Sequence, residues 1–430
     1  MQLKYMIACL AITTIAIPAF SQKDTLPPPN ATKSASNFSK VIGWKDGNMP
    51  IAPKGFSVSQ YATGFQNPRW MYVAPNGDVL LAESNSNFKT IEKVGAVLKG
   101  ASKAEDLTSS ADRITILRDN NKDGTPDEKY ILLTAENGLN QPFGMLIIGS
   151  WLYVANTDAV MRFPYKKGQT KIMEKGEKLV DLPGGKGFKE NRHWTRNIIS
   201  NANNTKIYIA VGSASNIAES GIEKERLRAN ILEMNPDGSG LRVFASGLRN
   251  PVGMGWAPGT STLYTAVNER DELGDDLVPD YLTSVRSGAF YGWPYSYFGD
   301  HVDARVPDQK PDLVKRAVVP DVDLGSHTAS LGLVFYTKKT FPAPYQGGAF
   351  IAQHGSWNRS VLSGYKVVYV PFVNGKPRGR PMDFLTGFVA DLAENKVYGR
   401  PVGVVVLPDG SLLVTDDAGN TIWRVAAEKQ

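Results

Sequence analysis

The 430-residue chain has one cysteine, Cys9, and four histidines, His193, His301, His327 and His354. One thiol can close no disulfide within the chain and cannot build a cysteine zinc site. The histidines lack the paired spacing of a zinc centre. The formal charge of +6 is spread along the chain with no long Lys/Arg run, which argues against a nucleic-acid partner. Beyond the first twenty residues no apolar run is long enough to cross a bilayer, so the chain reads as not membrane-spanning. GxSxG, HExxH, P-loop and dinucleotide fingerprints are all missing from suitable contexts, which counts against familiar hydrolase and nicotinamide chemistry.

What the chain has in quantity is turn punctuation: 41 Gly and 27 Pro, many in recurring turn-like positions. That favours many short strands over long helices.

The first residues read as an export signal. Lys4 supplies the positive end, residues 5–20 are apolar apart from Thr13 and Thr14, and Ala19-Phe20-Ser21 is a small-x-small cleavage site. Residues 1–21 are thus expected to be a signal peptide, and the mature chain, beginning near Gln22, to be periplasmic or secreted. Cys9 lies inside the signal, so the mature chain would carry no thiol. Residues 22–50 are polar and rich in Pro, Ser, Asn and Lys, and read as a linker or a loosely ordered N-terminal arm. Residues 51–430 read as one globular domain.

Within that domain six segments repeat one plan: a strand, a Pro/Asn/Asp-Gly turn and a second strand. The clearest are Asn67-Pro68-Arg69-Trp70, continuing through Pro75-Asn76-Gly77-Asp78 to Ala82, and Arg400-Pro401-Val402-Gly403, continuing through Pro408-Asp409-Gly410 to Val414. Others start at Gln141-Pro142, Thr195-Arg196 and Asn250-Pro251, with a weaker copy at Leu331-Gly332. Their spacing exceeds the roughly 40–50 residues of minimal propeller blades, which long inter-strand loops would explain. The expected fold is all-β, a six-bladed β-propeller; a sandwich or solenoid is the alternative. Residues 422–425 would form the outer strand of a final sheet, and residues 58–62 could add to it and close the ring.

Chemistry on such a scaffold must come from loops of several sheets. His193, in Asn191-Arg192-His193-Trp194, lies just before a repeat strand and is a general-base candidate, with a structural histidine as the plain alternative. Arg249 and Asn250, in Gly247-Leu248-Arg249-Asn250-Pro251, offer a fork of donors and an amide. The acidic run 268–276 suits calcium or is simply a solvated loop. Asp119, Asn121 and Asp123 open a calcium-loop pattern, but Tyr130 stands where its bidentate Glu belongs, so a structural calcium site and a plain turn both stay open. Trp357, in His354-Gly355-Ser356-Trp357-Asn358-Arg359, could stack on a planar ligand, and Arg400 adds a cation at the last copy.

Together these segments resemble the soluble glucose and sorbosone dehydrogenases that use pyrroloquinoline quinone (PQQ). The resemblance spans about residues 51–427 and rests on Gly247-Leu248-Arg249-Asn250-Pro251, the acidic loop, Tyr291-Gly292-Trp293-Pro294 and His193, in the family's order. It implies a propeller that oxidises a sugar, a sugar aldehyde or a related alcohol, with His193 as base and a hydride passing to the quinone. It implies that Arg249, Asn250 and Arg400 hold the quinone, and that Glu269, Arg270 and Asp271 bind Ca2+ through backbone carbonyls. Arg192 replaces an Asp that precedes the base in the glucose enzymes, and Val402 stands where a second arginine is expected; Arg359 or His327 would compensate. Without a Cys-x-x-Cys-His haem motif, electrons would leave to a separate acceptor, a cytochrome or quinone. The alternatives are a calcium-dependent, lactonase-like propeller hydrolase and a non-catalytic glycan-binding propeller.

Overall fold

Short apolar strands separated by glycine turns build six four-stranded antiparallel sheets in the computed structural model, which describes residues 26–104 and 106–428. The expected signal peptide and Cys9 lie outside the described residues. The first sheet comprises Pro68–Val73, Val79–Glu83, Arg113–Arg118 and Glu128–Leu133, and the second Met145–Ile148, Trp151–Ala155, Ala159–Pro164 and Glu177–Asp181. The third comprises Arg196–Ser200, Ile207–Val211, Asn230–Met234 and Arg242–Ser246. The fourth is formed by Asn250–Trp256, Leu263–Asn268, Pro279–Val285 and Val322–Ser326, and the fifth by Ser330–Phe335, Ala349–Gln353, Lys366–Val370 and Met382–Leu385. The sixth takes Pro401–Val406, Leu412–Asp416 and Thr421–Ala427 from the end of the chain and Phe56–Thr63 from its beginning. Among the described residues no helix is long and apolar enough to cross a membrane.

The turns follow from their residues. Gly77 and Gly410 sit at φ +94° and +89°, where a side chain is disfavoured, and each donates its N–H back to the residue three before it. Successive side chains in a strand point to opposite faces, so a strand between two neighbouring sheets must be apolar on both. Leu80 and Ala82 pack towards the second sheet; Val79 and Leu81 pack towards the sixth. Ile207 and Ile209 join the second sheet, while Tyr208 and Ala210 join the fourth. The fourth packs on the fifth and the fifth on the sixth in the same manner. Each sheet therefore buries both faces against its neighbours, the sixth against the first. This explains why the second strands are runs of buried apolar residues rather than alternating ones.

The first strands lie innermost. Trp70, Phe143, Val252, Leu331 and Val402, each from a first strand or just before one, meet in a single cluster with Trp194. Val402 is fully buried there, so that position faces the core.

Register sets where the loops emerge. Pro68 pairs with Glu83, Arg196 with Val211, Asn250 with Asn268, Ser330 with Gln353 and Pro401 with Asp416. Residues just before a first strand and just after a second strand thus leave the sheets at the same end. Residues 26–50 lie across loops at that end. Asn30 N–H donates to the Leu273 carbonyl, Thr32 and Ser34 accept from the N–H groups of Asp275 and Gly274, and Asn37 N–H donates to Trp357. Further on, Trp44 donates to Asp416 and stacks on Tyr398.

Candidate active site

His193 is held by the chain around it. The buried Arg196 guanidinium donates to the carbonyls of His193 at 2.6 Å, Thr195 at 2.9 Å and Pro183 at 2.7 Å. Arg196 and Arg228 both donate to Asn191 Oδ1, at 3.0 and 2.8 Å. The imidazole Nδ1 lies 2.9 Å from the Ser213 carbonyl oxygen. A carbonyl can only accept, so Nδ1 carries the proton and Nε2 keeps a free lone pair. Burial, and then the Arg249 charge, hold His193 well below the usual histidine range, against the opposing pull of Ser213 and Asp271. It is therefore neutral and basic at Nε2 near pH 7. Arg192 turns outward, its Nη1 3.5 Å from Glu219.

Gly212 joins His193 to Asn250. A Cβ at that glycine would collide with Asn250 Oδ1 and with His193 Cβ. Asn250 Oδ1 is itself buried without a hydrogen-bond partner.

Asp271 is shared by Arg249 and His327. Arg249 Nη2 lies 3.2 Å from Asp271 Oδ2, and His327 Nδ1 lies 3.3 Å from Oδ1. Arg249 also donates to the Glu269 carbonyl at 2.6 Å and to Asn216 Oδ1 at 2.9 Å, so the guanidinium mainly organises the acidic loop. His327 Nε2 is 2.8 Å from the Gly274 carbonyl, so both ring nitrogens face acceptors. Burial opposes charge on this ring, but Asp271 outweighs it and raises the pKa. His327 adopts φ +59°, a strained position for a residue with a side chain.

A second group lies at the same end. His354 Nε2 is 2.9 and 3.0 Å from the two Asp417 oxygens, and Asp417 pairs in turn with Arg69. Arg400 donates Nε to the His354 carbonyl at 3.1 Å. Burial, and then the Arg400 charge, lower the His354 pKa. Arg69 also lies over the Trp194 ring at 5.4 Å, which ties this group to the loop bearing His193. Arg69 and Asp417 were not among the residues the sequence singled out. Both occupy repeat positions that could have marked them: Arg69 follows the Asn-Pro that opens its repeat, as Val252 does, and Asp417 follows a second strand as Glu269 does.

The remaining candidates are placed elsewhere. Arg359 pairs with Asp276 at 2.7 Å, and no described contact joins it to these histidines. The Arg270 side chain turns into the protein towards Asp303 at 2.9 Å. Glu269 is buried, its Oε2 accepting from Arg270 N–H while Oε1 has no partner; burial pushes its pKa up to about 7. Asp119, Asn121 and Asp123 share one loop, where their side-chain oxygens accept from the backbone of Gly124, Asp123 and Thr125.

These groups bear on what could be held. Cations at Arg69, Arg249 and Arg400, two of which lower the pKa values of His193 and His354, suit an anionic ligand such as a quinone carrying carboxylates, while the orphaned Asn250 oxygen calls for a donor. Calcium finds a less open donor set. The Glu269 carbonyl already accepts from Arg249, and that of Asp271 from Asn216 at 3.2 Å, so a cation would have to share both.

The fold is that of solved structures which include the PQQ-bound form of aldose sugar dehydrogenase from Streptomyces coelicolor, with a TM-score of 0.57 at 17% identity, covering 88% of this chain and 100% of that one. The TrAA12-like family model matches residues 50–280 and 306–428, and the chain belongs to that family. An uncharacterized protein of Borreliella burgdorferi is 30% identical over 309 residues, covering 69% of this chain and 79% of that one. The iodide structure of the Trichoderma reesei AA12 carbohydrate-active enzyme superposes with a TM-score of 0.71 at 18% identity, covering 91% of this chain and all (100%) of that one. The holo PQQ domain of Coprinopsis cinerea pyranose dehydrogenase superposes with a TM-score of 0.69 at 19% identity, covering 90% and 100%.

Proposed function

We propose that the chain is a six-bladed β-propeller oxidoreductase that oxidises a sugar or sugar aldehyde with PQQ. The packing of six four-stranded sheets, sixth against first, supports six blades. The observation that carries the chemistry is His193, whose Nδ1 is fixed on the Ser213 carbonyl while Nε2 is free, next to Asn250 and among arginines. The PQQ-holding domain from Coprinopsis cinerea supports the choice of cofactor.

Bound at this end, PQQ would supply a two-electron acceptor for the hydride leaving the substrate carbon. His193 Nε2 would take the hydroxyl proton, or that of an aldehyde hydrate, so that carbon oxidation and proton loss balance. Its lowered pKa means the captured proton is readily released again. Arg69 and Arg400, with Arg249 behind the acidic loop, would hold carboxylates and favour negative charge that grows during reaction. Asn250 Oδ1 would accept a donor from ligand or substrate. Ca2+ would have to bind through oxygens of the 269–271 loop, and no step is assigned to it. The two His–Asp pairs and the basic field support this reading. Export through the leader and a separate electron acceptor complete the proposal.

The test is a dye-linked screen of aldoses, aldehydes and lactones on purified chain, with and without PQQ and Ca2+. Quinone-dependent dye reduction by a sugar is the expected result. Lactone hydrolysis without quinone, or no turnover of any compound, would defeat the reading.

A further inference from the structure

We propose that the N-terminal arm and the loop tips at Glu272 and Asn358 form a saccharide subsite, which extends the active site to substrates longer than one sugar ring. The inference rests on the sugar-oxidising reading and deepens it. An open cleft of about 540 Å³ is lined by Asn30, Thr32, Lys33, Ser34 and Ser36 of the arm, and by Glu272 and Asn358 opposite. That volume is within the range of small-ligand sites. No lining side chain is apolar. The hydroxyls and amides both donate and accept, as the hydroxyls of a sugar require of their partners.

Charge narrows the ligand class. The lining carries one cation, Lys33, and one anion, Glu272, the latter paired with Arg305 at 3.0 Å, and its other five side chains are uncharged hydroxyls and amides. A neutral, hydroxyl-rich ligand fits. Trp357, the residue before Asn358, is 38% exposed and lies flat against Phe38 at 5.8 Å. That ring is stacked on Phe38 and does not line the cleft, so recognition falls to the hydroxyls and amides.

The walls are fixed before any ligand arrives. Thr32 Oγ1 accepts from Asp275 N–H at 2.7 Å and Ser34 Oγ from Gly274 N–H at 3.0 Å. Asn358 Oδ1 accepts from Glu272 N–H at 2.8 Å, and its Nδ2 donates to the Ala35 carbonyl at 3.1 Å. Little ordering cost would then fall on binding. One wall residue links the cleft to the site through the chain: Glu272 follows Asp271, the carboxylate shared by Arg249 and His327.

Isothermal titration of the full chain with cellotetraose, maltotetraose and glucose tests this. One tetrasaccharide is expected to bind at least tenfold more tightly than glucose. Ser36→Trp, which fills the cleft, and Lys33→Ala should each bring that affinity down towards glucose, with thermal midpoints checking the fold. Equal affinity for glucose and both tetrasaccharides, or tight binding untouched by Ser36→Trp, overturns the proposal. The dye-linked screen separates it from the parent reading. Glucose turnover without a tetrasaccharide preference sinks the subsite alone, and Ser36-dependent tetrasaccharide binding without turnover of any sugar sinks the oxidoreductase.

Discussion

Asp417 receives His354 Nε2 on both of its carboxylate oxygens, at 2.9 and 3.0 Å. Arg69 pairs with the same carboxylate, so one buried anion holds two groups from neighbouring sheets. Burial alone would raise the Asp417 pKa, but His354 and then Arg69 outweigh it and hold the group well below the usual carboxylate range. A lowered acid stabilises the fold above its unfolded pKa, near 4, and that contribution is lost as pH falls through the lowered value. Asp417→Asn leaves the half-buried Arg69 without its carboxylate, at a cost of roughly 1–3 kcal/mol at pH 7. Urea denaturation should show this deficit, narrowing only below about pH 4. A deficit that is the same at pH 3 and pH 7 would refute the assignment.

His193 makes a kinetic prediction. Burial and Arg249 place its pKa well below the ordinary 6.5, so the acidic limb of the kcat/KM profile with PQQ should fall below pH 6.5. His193→Ala should lower turnover by roughly 10²–10⁴. Quinone affinity, read by fluorescence titration, should change by only a few fold, as the cations that hold the ligand remain. Unchanged turnover would remove His193 from the chemistry.

Gly212 tests the geometry without touching a reactive group. In Gly212→Ala the new methyl meets Asn250 Oδ1 on one side and His193 Cβ on the other, and Arg196 holds the His193 carbonyl in place. The imidazole should therefore shift by a fraction of an ångström to about 1 Å, and displacements of that size cost on the order of 10² in rate. Circular dichroism should show a retained fold. Turnover within twofold of the parent would mean that the Asn250–His193 spacing is not critical.

Much of the architecture was legible because its signal is local. Pro75-Asn76-Gly77 and Pro408-Asp409-Gly410 announce tight turns, and the apolar runs beside them are what a strand buried on both faces requires. Site residues were legible where they begin a repeat strand, as Asn250 does, or lie just before one, as His193 and Arg400 do. Side-chain direction was not legible. Nothing local says that Arg270 turns inward to Asp303, that Arg359 reaches Asp276, or that Arg249 is spent on the Glu269 carbonyl. The arm was opaque for a related reason. Its polar composition suits a linker, and its anchors lie more than 200 residues away, from the Gly274 N–H to Ser34 Oγ bond at a separation of 240 to the pairing of Lys40–Val41 with Lys396–Val397.

Glu269 gives the last prediction, and its sign is opposite to that of Asp417. Burial pushes its pKa from the ordinary 4.5 up to about 7, so between those values the folded protein binds a proton that the unfolded chain releases. Stability must then fall as pH rises through that window, by up to about 1.4 kcal/mol per pH unit. Glu269→Gln removes the titration but keeps the shape and an acceptor for the Arg270 N–H. The variant should match the parent near pH 4.5 and exceed it in stability above pH 7. Asp416 is also pushed up, to about 6, and tilts both proteins alike, while Asp280, likewise raised to about 6, is coupled to Glu269 and belongs to the same window. The difference between the two urea-denaturation curves across pH therefore isolates Glu269 and its coupling to Asp280. A difference that does not change with pH would mean that this carboxyl is held charged by its neighbours, with Arg249 the first cation to examine.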